Sequence, residues 1–156
     1  MKKHQYQSTI LWTGNKGQGT KTYTTYERSY LIEAEGKSAI QGSSDPAFRG
    51  DKTKHNPEDL LISAVASCHM LWYLHLCSEN NVIVEEYSDT PQGIMIEEKS
   101  GKGYFEEITL NPIVVVSDKE MVEKAIDLHE KAHEFCFIAN SVNFPIGLNP
   151  IIKTKK

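Results

Sequence analysis

Apolar and polar residues alternate through the first third of the chain in short runs, at residues 5–12, 22–26, 29–34 and 38–42. A period of two puts successive side chains on opposite faces of an extended segment, so these four runs predict β-strands. The glycine-rich stretch from Gly14 to Gly19 and the turn Glu35-Gly36-Lys37 separate them, and residues 43–55 predict an irregular polar loop. The pattern then changes character. Asn56 is placed to cap a helix, Pro57 suits its first position, and Glu58 and Asp59 complement the positive end of the helix dipole. From there to about Ser78, apolar residues cover nearly the whole circumference, which predicts a helix buried on all sides. A chain this short cannot enclose such a helix alone, so a partner subunit is expected to cover part of it.

Strands are predicted again at 82–87, 94–98 and 104–116, followed by a second helix from Ser117 to about Phe135. Ser117 and Glu120 stand three apart, as in a capping box. Residues 142–144 and 151–153 can supply a closing strand. Strands, helix, strands, helix, strand is an α+β order. The 156 residues fit a single domain, 1–156, and no internal repeat or low-complexity linker is read in them.

A formal charge of −4 argues against nucleic acid as a partner, because such proteins carry a basic stripe. The longest apolar stretch, 60–77, is interrupted by Ser63, Ser67, His69 and His75, so no membrane span is expected. The N-terminus is polar after its lysines, with no apolar core or small-residue cleavage site, so no secretory signal is expected. With three cysteines, an odd number, a disulfide-stapled secreted scaffold is not expected; a cytoplasmic protein with reactive or buried thiols is. Serine-nucleophile, phosphate-loop and dinucleotide motifs are not found.

Two kinds of side chain remain for chemistry. Cys68 lies within the first helix and Cys136 at the end of the second, while Cys77, nine residues after Cys68, falls half a turn round the helix. His129, His133 and Cys136 share one stripe of the second helix, a spacing compatible with metal, although three ligands on one face need a fourth. Inert buried cysteines and half-exposed histidines are the bland alternative. Cysteine-based acyl transfer with His133 as base is a further one.

Asn56-Pro57-Glu58-Asp59-Leu60-Leu61 followed by Ala64-Val65-Ala66-Ser67-Cys68, with Cys136 far downstream, resembles the osmotically inducible protein C and organic hydroperoxide resistance (OsmC/Ohr) family, on its OsmC-like branch. The first hairpin from Trp12-Thr13-Gly14 onward and the C-terminal strand fit as well. The resemblance implies antiparallel sheets wrapped around two central helices in an intertwined homodimer. It implies a thiol peroxidase that reduces small organic hydroperoxides, with Cys68 as the attacking thiol, Cys136 as the resolving one and Glu58 as the acidic residue of the site. An arginine pairing with that glutamate is also implied. The first hairpin offers only Lys16, so Arg49, in the loop before Asn56, is the first choice, and Arg28 the alternative. No cofactor is implied beyond an external dithiol reductant, lipoyl-type in some members. The other reading is a ligand- or metal-binding module of the same fold without catalysis. Peroxide chemistry suits the residues: a cation near a cysteine raises its thiolate fraction at neutral pH, and a second thiol can condense with the resulting sulfenic acid. Met70, Trp72, Phe135 and Phe137, near the cysteines in sequence, would favour bulky apolar hydroperoxides if they line the pocket.

Overall fold

The computed structural model describes residues 1–155, which fall into two compact units, Met1–Leu60 and Leu61–Lys156. In the first unit, β1 (Thr9–Trp12), β2 (Tyr30–Glu33) and β3 (Ile40–Gly42) form an antiparallel sheet in the order β1-β2-β3. Residues 22–26, expected as a strand, are a turn-rich loop from which only Tyr26 bridges to Asn15. Local side-chain bonds outcompete a ladder here. The Thr25 hydroxyl accepts from the Thr22 N–H (3.1 Å) and donates to the Thr22 carbonyl (3.0 Å). Arg28, outside any strand, donates to the carbonyls of Tyr26 (2.7 Å) and Tyr23 (2.8 Å), its guanidinium lying over both rings. Gly14 is required at the loop's base, because a Cβ there would run into the Glu27 carbonyl.

The long helix α1 spans Pro57–Glu79. Its start is the reciprocal cap the sequence predicts in part: Asn56 Oδ1 accepts from the Asp59 N–H at 2.7 Å, and Asp59 Oδ2 accepts from the Asn56 N–H at 3.2 Å. It ends where Asn81 turns left-handed (φ 57°) and the Val82 N–H reaches back to the Cys77 carbonyl. By length and composition α1 could cross a membrane, its best window averaging a hydropathy of 1.6, contrary to the reading above. Its buried stripe, however, carries His69 and Tyr73, both hydrogen-bonded to groups of the second helix, as suits the core helix of a folded domain.

The second unit holds two three-stranded mixed sheets. β4 (Val84–Asp89), β7 (Pro112–Val116) and β9 (Ile151–Thr154) make one; β5 (Gln92–Glu97), β6 (Gly103–Leu110) and β8 (Ile146–Leu148) make the other. The expected single strand 104–116 is therefore two strands, broken at Asn111-Pro112, because proline cannot donate to a ladder. The same four residues, Leu-Asn-Pro-Ile, occur at 110–113 and at 148–151, a short repeat that the sequence reading overlooks. The copies run side by side in parallel, pairing Leu110 with Leu148 and Ile113 with Ile151, and both change sheets at the same level. Asn149 ties them, its N–H donating to the Leu110 carbonyl at 2.9 Å. Residues 142–144 are not a strand either: a 3-10 turn (Ala139–Ser141) precedes them and β8 starts only after Pro145.

The second helix, α2, runs Val122–Phe135 after a 3-10 turn, Lys119–Met121. Asp118 caps the 3-10 turn, its Oδ1 accepting from the Glu120 N–H at 3.0 Å, and α2 itself starts at Met121 without a side-chain cap. Ser117 directs its hydroxyl to the Met121 sulfur instead, so the expected Ser117–Glu120 box does not form. Tyr73, Cys77, Val82, Val114, Val116, Ala125, Leu128 and Ala132 form one buried cluster, and Val65, Ala66, Ile108 and Leu110 another. Only the stripe Val65, Ala66, His69, Tyr73 and Cys77 of α1 is buried within the chain, while Leu71 is 63% exposed. The expectation of burial on all sides thus fails for the single chain.

Candidate active site

Cys136 sits at the residue where α2 stops. Its backbone leaves the helix (φ −68°, ψ 107°) while its N–H still bonds the His133 carbonyl. This places the sulfur in the interior, fully buried, beside the half-buried thiol of Cys68 on α1, with which it interacts. The chain after the helix curls around the same sulfur: the Ala139 N–H donates to Sγ at 3.4 Å, and the Ile138 N–H also points to it. Burial, and then the neighbouring Cys68 thiol, push the Cys136 thiol up to about 11, against the opposing pull of those two N–H groups. Cys68 and Cys136, 68 residues apart in sequence, thus meet where α1 passes the end of α2.

Aromatic rings stand around this meeting point. Trp72, one turn beyond Cys68, stacks on Phe135 at a centroid distance of 5.2 Å and meets Phe137 edge-on at 5.6 Å. Phe135 and Phe137 flank Cys136 in sequence and remain 48% and 65% exposed. Leu71, Trp72 and His75 line a shallow apolar hollow of about 200 Å³. Cys77 takes no part: it is buried against Tyr73 in the core, and burial raises its pKa.

Beside Cys68 on α1, and seven residues before Cys136 on α2, lies a feature the sequence does not reveal. His69 Nε2 and His129 Nδ1 share a hydrogen bond of 3.0 Å, with both rings buried and parallel, and Tyr73 stacks on His129 at 3.8 Å. Burial, helped by the charge of His133, lowers His69 to about 4; burial, helped by His69, lowers His129 to about 3. Both rings are therefore neutral at physiological pH. The available signal was the spacing Val65, His69, Tyr73, Cys77, which sets a histidine on the core stripe. The His129–His133–Cys136 stripe does not converge on a common point. His129 is engaged by His69 and Cys136 by Cys68, and among the described residues no group of three His, Cys, Asp or Glu side chains is arranged to hold a metal.

The other expected site residues lie in the first unit. Glu58 opens α1 with Oε2 buried and without a hydrogen-bond partner. Its charge reaches Tyr30 on β2, whose pKa is raised by burial first and by Glu58 second. Arg28 is committed to the 22–28 loop by its two carbonyl bonds and two aromatic rings. Arg49 is exposed, and ends the 3-10 turn Pro46–Phe48 with a left-handed backbone (φ 65°), a strained conformation for a side-chain-bearing residue.

Two helices bearing a facing thiol pair, packed with mixed sheets, define a class of small α+β thiol protein. Residues 50–149 match the model of the OsmC-like protein family, and the chain belongs to that family. Among solved structures, an OsmC-like protein of unknown function from Vibrio cholerae is 29% identical, covering 96% of this chain and 100% of its own, with a TM-score of 0.86. An organic hydroperoxide resistance protein from Elizabethkingia anophelis shares the fold at 18% identity, with coverage of 99% and 100% and a TM-score of 0.68. The organic hydroperoxide resistance protein of Bacillus subtilis does so at 21%, with coverage of 95% and 98% and a TM-score of 0.59. No curated protein matches the chain.

Proposed function

We propose that the protein is a thiol-dependent peroxidase that reduces small organic hydroperoxides to alcohols. The single observation carrying this reading is the pairing of a half-buried Cys68 with a buried Cys136 across two helices. The Cys68 thiolate attacks the distal oxygen of the hydroperoxide; an S–O bond forms, the O–O bond breaks, and the alkoxide leaves and takes a proton as alcohol. Cys68 is then a sulfenic acid. The Cys136 sulfur attacks Cys68, the S–S bond forms, and hydroxide departs with the Cys136 proton as water. An external dithiol, of lipoyl type in this reading, returns both thiols by exchange.

The exposed Phe135 and Phe137 rings, packed on the half-buried Trp72, offer the organic group of the substrate an apolar surface near the cysteines, which favours bulky hydroperoxides over hydrogen peroxide. Arg49 is our choice for the cation that supports the thiolate, with Glu58 as its carboxylate partner, because Arg28 is already engaged by loop carbonyls. If so, Arg49→Ala slows reaction of Cys68 with hydroperoxide, and unchanged kinetics exclude the role. The uncovered apolar face of α1 is part of the interface of a homodimer in this reading. Sedimentation of a stable monomer at micromolar concentration contradicts that assembly. Turnover of cumene hydroperoxide with a dithiol reductant, before and after treatment with a chelator, tests the whole. Undiminished turnover after chelation is expected, and its absence under both conditions refutes the proposal.

A further inference from the structure

We propose that Cys136 has a second role, earlier than resolution: while both thiols are reduced, its S–H donates the hydrogen bond that holds the Cys68 sulfur as an anion. The inference rests on the peroxidase reading for its purpose, and on the surroundings of the two sulfurs for its substance.

A thiol has one proton to give, and its sulfur is a weak acceptor. The acceptor side of Cys136 already takes the N–H of Ala139 at 3.4 Å. Cys136 is therefore poorly placed to accept from Cys68, and its own S–H is left to face that sulfur. Burial assigns the charge in the same direction. Cys136 is fully buried and Cys68 only half so, and an anion is disfavoured most where water is excluded. Burial thus favours Cys136 as the sulfur that keeps its proton, in line with its raised pKa. The turn after α2 thus serves both stages of the cycle. It orients Cys136 as a donor in the reduced protein, and the Ala139 N–H then steadies the negative charge that Cys136 carries once it gives up its proton to attack the sulfenic acid.

The test separates this role from resolution by comparing two variants that both lack the resolving sulfur. In Cys136→Ser a hydroxyl remains to donate; in Cys136→Ala nothing does. The pH dependence of Cys68 alkylation by iodoacetamide, read peptide by peptide by mass spectrometry, is measured in the intact protein and both variants. We expect Cys136→Ala to move the midpoint upward by roughly half a unit to one unit, with Cys136→Ser between it and the parent. Below the midpoints, that corresponds to an approximately three- to tenfold slower reaction of Cys136→Ala. Identical midpoints in all three proteins overturn the proposal. In the intact protein a limiting amount of reagent should label Cys68 before Cys136, a result that does not depend on either variant folding; the reverse order overturns the proposal equally. Because alkylation involves no peroxide, a protein that consumes no hydroperoxide yet shows the shift refutes the peroxidase reading and leaves the donor role standing.

Discussion

Of the side-chain pairs that bridge α1 and α2, the cysteine pair and the histidine pair differ chiefly in access to solvent. Cys68 and Cys136 meet at the end of α2, where Phe135 and Phe137 are exposed and Cys68 is only partly buried. His69 and His129 meet inside the core, with both rings buried and a 3.0 Å hydrogen bond between them. Imidazole is the usual proton carrier at neutral pH, yet here burial removes it from titration in that range. In the proposed reading the thiols carry the chemistry, while the buried histidines belong to the core where the helices pack. On that reading, exposure more than residue type decides which pair reacts.

The largest expected effect breaks the reactive pair. Cys68→Ser should abolish hydroperoxide turnover, because a serine oxygen is neither readily ionised nor oxidisable to a sulfenic acid. Residual turnover above a few per cent, with the protein folded, contradicts the assignment.

The sealed pair should respond in stability. His129→Leu leaves the buried His69 Nε2 without its partner and should cost about 1–3 kcal/mol in urea unfolding. Acid probes the same pair. Both histidines have folded pKa values below their ordinary 6.5, so between 6.5 and about 4 for His69, or about 3 for His129, the unfolded chain binds more protons. Stability then rises with pH across that window and is lost on acidification, by up to about 1.4 kcal/mol per pH unit for each histidine. A flat stability profile from pH 6.5 to 4.5 contradicts a sealed neutral pair.

The sequence made these two pairs unequally legible. The α1 cap at Asn56 and the Cys68–Cys136 partnership follow from residue identity and family resemblance, which local chemistry and spacing carry. His69 was hidden because periodicity marks a residue's face and leaves open whether a polar group there finds a partner across the core. That partner, His129, is 60 residues away. The sheet change at Asn111-Pro112 was obscured by continuous β-prone residues on both sides, although the proline itself was the visible sign. The loop at 22–28 misled in the opposite direction: its alternation is that of a strand, and Thr25 and Arg28 bond locally instead. Arg49 and Glu58 keep roles drawn from resemblance, with a left-handed backbone and an unpartnered buried oxygen as their structural marks.

Smaller effects sharpen the contrast between the open and sealed ends. Trp72→Ala removes the ring on which Phe135 and Phe137 pack, and should lower kcat/KM for cumene hydroperoxide about tenfold while changing that for hydrogen peroxide little. Equal losses for the two substrates point to a disturbed helix instead of a lost contact. Cys77→Ser should leave the cycle intact, since Cys77 lies in the core against Tyr73, and should lower stability by about 1–2 kcal/mol through its buried hydroxyl. Loss of turnover in that variant without loss of fold argues for a third reactive thiol.

The central claim is that Cys68 and Cys136 act on each other. Its most direct test is mass spectrometry of the reduced protein after one equivalent of cumene hydroperoxide, with and without Cys136→Ser. The intact protein should yield a Cys68–Cys136 disulfide with Cys77 free, and the variant Cys68 as sulfenic or sulfinic acid. A protein that keeps three free thiols, or forms its disulfide through Cys77, contradicts the account.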